Sequence, residues 1–153
     1  MATTLPLNWG RIVLSGVLAG IVGGVCLDLF IYLTSLHAAY TSALSLLQFL
    51  ATAGFGKPAY TSTSQPWAGV AMHFLVSIAW GIGYAYMAST KPAINKNPLI
   101  SGFIFGLVVY VVMQFALYTV RALETPDALE LYLTVVAYTV FFGIPVALVA
   151  RLK

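Results

Sequence analysis

Four long apolar runs constrain this chain more than any other feature of its sequence. They cover about residues 12–36, 67–89, 98–120 and 128–152, and each is long enough to cross about 30 Å of hydrocarbon as a helix, which takes roughly 20 residues. Only 7% of the 153 residues are charged, and the mean hydropathy is +0.95. We therefore predict an all-α membrane protein, with residues 1–153 forming a single domain, a bundle of four transmembrane helices.

The connection between the first and second runs contains a shorter apolar segment. Over about residues 42–53 its leucines and Phe49 recur at near-helical spacing. Such a segment is typical of an amphipathic helix that lies in the membrane interface or packs back against the bundle. We predict one interfacial amphipathic helix here, without chemistry of its own.

The lysine and arginine residues indicate how the bundle is oriented. Those at one side are Arg11, Lys91, Lys96, Arg151 and Lys153, and those at the other side are Lys57 and Arg121. Because the cytoplasmic flanks of membrane proteins carry an excess of basic residues, we predict that both termini are cytoplasmic. The basic residues flank apolar runs instead of forming one patch, so we expect no nucleic-acid partner.

Small residues recur at intervals of four in the first three runs. In lipid, helices associate by close packing, so such faces mark the places where helices meet. We expect packing contacts at the glycines of these faces: Gly16, Gly20, Gly24, Gly81, Gly102 and Gly106.

Polar side chains continue these faces toward the predicted outer end of the bundle. The candidates for a polar pocket or proton relay there are Asp28, His73, Ser77, Gln114, Tyr118, Glu130, Thr134 and Tyr138. An ionisable group inside a membrane is costly and usually serves binding or proton transfer. Asp28 and His73 fit that role best, but they could equally hydrogen-bond each other and fix the helix register, at a gain of about 1 kcal/mol or less. For Gln114 and the tyrosines, packing is the favoured interpretation.

Chemical motifs are few. Asp28, His73 and Glu130 have acceptable metal-binding side chains, but they come from three helices and lack a local ligand spacing such as H-E-x-x-H, so metal binding stays open. No catalytic triad order or phosphate-binding loop stands out in a suitable context. We therefore predict no catalytic residue and no cofactor, and enzymatic activity is not indicated.

A set of residues from the second run onward resembles a known family. The set consists of the sequence His73-Phe-Leu-Val-Ser77, the dipeptide Gly83-Tyr84, a short loop with lysine, a glycine-bearing third run, and Glu130 at the start of the fourth. Over about residues 66–145 the chain is similar to the YagU-like family of small bacterial inner-membrane proteins, a family of largely unknown function that is linked to acid tolerance. The first run shares only Ala19-Gly20 with it.

The resemblance implies a location in the bacterial inner membrane and a role in the response of the envelope to acid. It carries over His73, Ser77 and Glu130 as functional residues, whereas Thr134 stands where the family has a second histidine. Histidine is the side chain whose charge ordinarily changes between about pH 5 and 8, so a buried histidine could sense or relay protons.

Two functions follow as expectations. The first is proton or small-solute handling through a polar pocket near the outer face. The second is an accessory or structural role, in which the glycine faces contact another copy of the chain or a partner membrane protein. Besides the lipid bilayer, the expected partner is therefore a homo-oligomer or another membrane protein.

Overall fold

The computed structural model of this chain describes residues 7–34, 48, 51, 65–121 and 128–151. Nearly all of these residues are helical. In chain order the elements are α1 (Trp9–Thr34), α2 (Gln65–Thr90), the short α3 (Pro92–Lys96), α4 (Pro98–Arg121), α5 (Ala128–Val136), a π-helical segment (Ala137–Gly143) and α6 (Ile144–Ala150).

Four stretches of helix are long and apolar enough to cross a membrane. They are Trp9–Thr34, Pro66–Thr90, Pro98–Ala116 and Leu131–Ala150. The prediction of an all-α, multi-pass membrane protein with four transmembrane helices is thus confirmed. We call the last stretch, made of α5, the π-helical segment and α6, the fourth span.

Asparagine side chains cap the starts of α1 and α4. Asn8 accepts a hydrogen bond on its side-chain oxygen from the backbone N–H of Arg11 at 3.1 Å, so α1 begins three residues before the predicted position 12 and Arg11 lies in its first turn. Asn97 directly precedes Pro98, a pattern that predicts a helix cap, and its side chain accepts a hydrogen bond from the backbone N–H of Ile100 at 3.2 Å. Such caps satisfy amide groups that have no partner in the first turn of a helix.

Helices α1 and α2 pack as an antiparallel pair through glycine. A Cβ atom on Gly20 would lie 2.5 Å from the Cα of Ile78, and one on Gly81 would lie 2.6 Å from the backbone nitrogen of Gly20. Gly16 faces the backbone of Ile82 in the same way. No side chain fits between these backbones, which explains why three glycines occupy the contact.

Helix α4 and the fourth span form a second antiparallel pair of the same kind. A Cβ atom on Gly102 would lie 2.7 Å from the carbonyl oxygen of Gly143, and one on Gly106 would lie 2.7 Å from the Cα of Thr139. The fourth span therefore presents a small face of its own, made of Thr139, Gly143 and Ala147, all of which are buried.

The π-helical segment lies directly before Pro145. Proline lacks a backbone N–H and its ring clashes with the carbonyl group four residues earlier, so a regular α-helix cannot continue through it unchanged. The sequence predicts a kink at Pro145. The structure shows the wider π-turns of Ala137–Gly143 at this place, a known way for a helix to absorb such a conflict.

The two pairs join through side chains. On one side Gly23 of α1 contacts the rings and methyl groups of Phe142 and Val146. On the other side the fully buried Tyr84 of α2 packs against Phe105 and makes a 2.7 Å hydrogen bond with the hydroxyl of Ser101, both on α4. The core of the bundle therefore lies between all four spans.

Most of the predicted amphipathic segment, about residues 42–53, falls outside the described residues. Gln48 and Ala51 are described, and both are helical. Ala51 is fully buried and touches Gly69 of α2. At this position the segment thus packs against the bundle.

Candidate functional site

The two ionisable side chains of the first and second spans meet. Asp28 of α1 and His73 of α2 approach to 3.2 Å between Oδ1 and Nε2, and their side chains are only 17% and 15% exposed. At a rise of about 1.5 Å per residue, both lie roughly 9–12 Å inside the ends of their helices. A carboxylate and an imidazole are therefore held together within the membrane-spanning part of the bundle.

The antiparallel glycine contact sets this meeting. Gly16, Gly20 and Gly24 succeed one another along one face of α1, and Asp28 comes one turn later on that face. Because α2 runs in the opposite direction, the residues of α2 that face this side of α1 are, in the same order, Ile82, Ile78 and His73. The contact that brings the two backbones together thus places Asp28 next to His73.

Gly24 marks the change from packing to polar surroundings. A Cβ atom on Gly24 would meet side chains instead of backbone: it would lie 3.2 Å from Ser77 Oγ, 3.3 Å from the ring of Phe74 and 3.4 Å from His73 Nε2. The missing side chain therefore leaves room for the imidazole beside α1. Ser77, which is 4% exposed, brings a hydroxyl to the same place.

The contact between Asp28 and His73 is close but not aligned. Both atoms are fully buried, and neither makes a hydrogen bond of good geometry with any described residue. The 3.2 Å distance itself lies at the upper limit of hydrogen-bond lengths. We regard the pair as a close contact between two ionisable side chains.

An aromatic ring also borders the pair. Phe74 meets the imidazole edge-on, with ring centroids 5.3 Å apart. Two residues after Asp28, Phe30 stacks on Phe141 of the fourth span, with ring centroids 4.1 Å apart. Because both side chains of the pair are largely shielded from water, a charge on either group gains from the nearness of the other.

The remaining candidates lie on the other helix pair. Tyr138 meets Tyr110 of α4 edge-on at 5.9 Å, while Gln114 and Thr134 are half-buried. The side chains of Tyr118 and Glu130 lie outside the described part of the chain. The structure thus brings three predicted residues together, namely Asp28, His73 and Ser77.

Asp28, His73 and Glu130 are the residues for which the sequence left metal binding open. Among the described side chains, no group of three or more His, Cys, Asp or Glu residues is placed to hold a metal ion. The side chain of Glu130 is not among them. Of the three candidates for metal binding, the structure therefore describes the side chains of Asp28 and His73.

Two features of the bundle were missed by the sequence argument. The fourth span was expected to lack a glycine face, yet Gly143 packs against Gly102 and Gly106. The small residues Thr139, Gly143 and Ala147, spaced by four, were the signal for it. Phe74 was also missed, because an aromatic residue in an apolar run gives no sign that it faces a histidine.

The fold and the Asp28–His73 contact define a class: a small multi-pass membrane protein with an ionisable pair between two glycine-packed helices. A family model, described as a family of unknown function (DUF6789), matches residues 10–152. The chain therefore belongs to the DUF6789 family. No curated protein and no solved structure matches it.

This match shows the family of the chain but names no function. Nothing in it links the chain to the YagU-like family or to acid tolerance. The segments that carried the resemblance are short, and most of their residues are small or apolar, a composition common to many membrane helices. They include His73-Phe-Leu-Val-Ser77 and Gly83-Tyr84.

Proposed function

We propose that this protein binds and releases protons at the Asp28–His73 pair, as part of proton or small-solute handling across a bacterial inner membrane. The observation that carries the proposal is the 3.2 Å contact between the two side chains inside the membrane-spanning region. Ionisable groups at such depth are costly, and they are characteristic of proton relays and ion pathways.

The chemistry needs only these two residues. With one proton between them, the pair exists as carboxylate and imidazolium or as carboxylic acid and neutral imidazole. Uptake of a second proton gives carboxylic acid and imidazolium, and loss of the first gives carboxylate and neutral imidazole. Each exchange changes the net charge of the site by one, so a proton is gained or lost without any other reactant.

The orientation in this proposal follows from the basic residues. With both termini in the cytoplasm, the pair lies nearer the outer face, and proton exchange would occur toward that side. A role in acid tolerance is not part of the proposal, because nothing beyond the sequence resemblance supports it.

Proton transfer can be tested with the full chain in liposomes. Under an imposed pH gradient and with a pH-sensitive dye inside, we expect wild-type vesicles to lose the gradient faster than empty vesicles. Asp28→Asn and His73→Gln should each lower the rate at least about tenfold, whereas Tyr110→Phe, a change at a contact of the second helix pair, should leave it unchanged. A wild-type rate equal to that of empty vesicles, or equal rates in all four proteins, would contradict the proposal.

The accessory or structural role stays a prediction. It was expected to use the glycine faces, but Gly16, Gly20, Gly81, Gly102 and Gly106 all contact other helices of the same chain. A partner membrane protein or a second copy would therefore have to bind to a different surface.

A further inference from the structure

One end of the bundle is basic. Helix α1 begins there, α2 ends there, α3 connects α2 to α4 there, and the last residues of the fourth span return to it. The basic residues described at this end are Arg11, Lys91, Lys96 and Arg151, and all four are exposed. We call this surface the basic end.

Contacts between elements show that these residues share one end. Trp9, at the start of α1, stacks on Tyr86, near the end of α2, with ring centroids 5.7 Å apart and an angle of 9° between the rings. Gly102, near the start of α4, faces Ala147, near the end of α6. All four chain passages therefore reach the same side of the membrane.

The positive charges of the basic end are not neutralised within the described structure. Over residues 7–34, 65–121 and 128–151, none of the four basic side chains forms an ion pair with a carboxylate. Asp28, the acidic residue whose side chain the structure describes, lies toward the other end of α1. The four cations thus stay available to anions of the membrane surface.

The Trp9–Tyr86 stack places part of this surface at the level of lipid headgroups. Trp9 is 58% exposed and Tyr86 is 42% exposed, and exposed Trp and Tyr at helix ends are typical of the boundary between acyl chains and headgroups. Arg11 follows Trp9 by two residues, and Lys91 follows Tyr86 by five, which is about 7 Å along a helix. The long side chains of Arg11 and Lys91 can therefore reach the headgroup level at which the exposed stack lies, and an acyl chain can cover the stack.

We propose that the surface made of Arg11, Lys91 and the Trp9–Tyr86 stack binds the headgroups of anionic phospholipids such as phosphatidylglycerol. Their phosphates accept hydrogen bonds from the guanidinium or the ammonium group, and the acyl chains lie along the exposed apolar faces of α1 and α2. The occupant is a lipid instead of a free phosphate, because the cations adjoin aromatic and apolar surface and not a closed polar cavity. The site is independent of the Asp28–His73 pair at the opposite half of the bundle.

The test is native mass spectrometry of the full chain in mild detergent, with phosphatidylglycerol or phosphatidylcholine of identical acyl chains. We expect the wild type to retain at least about fivefold more phosphatidylglycerol than phosphatidylcholine, since each basic residue near an anionic headgroup contributes on the order of 1 kcal/mol. The double variant Arg11→Gln/Lys91→Gln should lose this preference. The variant Arg11→Lys/Lys91→Arg, which keeps both charges, should retain most of it.

A matched control removes the same charges elsewhere. Lys57→Gln/Arg121→Gln also neutralises one lysine and one arginine, but at positions that the pattern of basic residues predicts at the opposite end, and it should keep the preference. Equal losses in the two neutralised variants, or no preference in the wild type, would overturn the proposal. Equal competition by soluble glycerol phosphate would also overturn it, because the occupant would then be free phosphate.

Discussion

The two antiparallel helix pairs share one kind of backbone contact and differ in what lies beyond it. In the pair of α1 and α2, the contact at Gly20 and Gly81 continues to Asp28 and His73. In the pair of α4 and the fourth span, the contact at Gly106 leads to Tyr110 and Tyr138, whose rings meet edge-on.

This difference separates the glycine contacts that pack the helices from the ionisable pair of the first helix pair. Over the described side chains, the second pair packs as closely as the first but has two tyrosines where the first has a carboxylate and an imidazole, so glycine contact suffices to hold two helices together here. A carboxylate and an imidazole in lipid add only about 1 kcal/mol when they merely bond to each other. We infer that Asp28 and His73 serve a purpose other than packing.

The largest expected effect breaks the contact of the first pair. Gly81→Ala places a Cβ atom 2.6 Å from the backbone nitrogen of Gly20, and neither backbone can yield without separating the helices. We expect a loss of about 1–3 kcal/mol in the free energy of unfolding, measured by titration with a denaturing detergent in mixed micelles.

A control for this change lies two residues further along the same helix. A Cβ atom on Gly83 meets nothing within 4 Å, so Gly83→Ala should leave stability unchanged or raise it by up to about 1 kcal/mol through helix propensity. Equal losses from the two substitutions would show that α1 and α2 do not meet at Gly81.

The corresponding change in the second pair tests whether the two contacts are equivalent. Gly106→Ala places a Cβ atom 2.7 Å from the Cα of Thr139, and we expect a loss of the same size, about 1–3 kcal/mol, in the same assay. A much smaller loss would mean that the π-helical segment can move to accommodate the added Cβ atom, whereas the contact between α1 and α2 cannot.

A smaller effect is expected where the pairs meet. Tyr84→Phe removes the 2.7 Å hydrogen bond to Ser101 and should lower the free energy of unfolding by about 1 kcal/mol. If the bond carries this loss, Ser101→Ala should have a similar effect, and the double variant should lose little more than either single one. Full additivity would contradict a direct bond between the two hydroxyl groups.

The smallest effect on stability is expected at the ionisable pair. Asp28→Asn keeps the shape of the side chain, and we expect it to change the free energy of unfolding by about 1 kcal/mol or less. A loss as large as that of Gly81→Ala would instead make the Asp28–His73 contact a structural element and weaken the proposed function.

The spans were predictable from the sequence because long apolar runs have few alternatives to transmembrane helices. The cap at Asn97 was predictable too, since an asparagine before a proline at a helix start has one common use. Matching depths in opposite helices placed Asp28 and His73 at similar levels, and the structure has them in contact.

The pairing of helices could not be read from the sequence. A glycine face shows which side of a helix approaches a neighbour, but not which neighbour it is or whether it belongs to the same chain. For the same reason Gln114 and Tyr138 were assigned to one pocket with Asp28 by depth alone. The π-helical segment was missed because it depends on how α5 and α6 pack on either side of Pro145.

Infrared difference spectroscopy can show whether Asp28 and His73 exchange protons as a pair. Spectra of the protein in lipid, recorded as the pH changes, should contain a carboxyl band that disappears in Asp28→Asn and shifts or changes intensity in His73→Gln. Tyr110→Phe should leave that band as it is. A set of pH-dependent carboxyl bands that is identical in the wild type and in Asp28→Asn would contradict proton exchange at the pair.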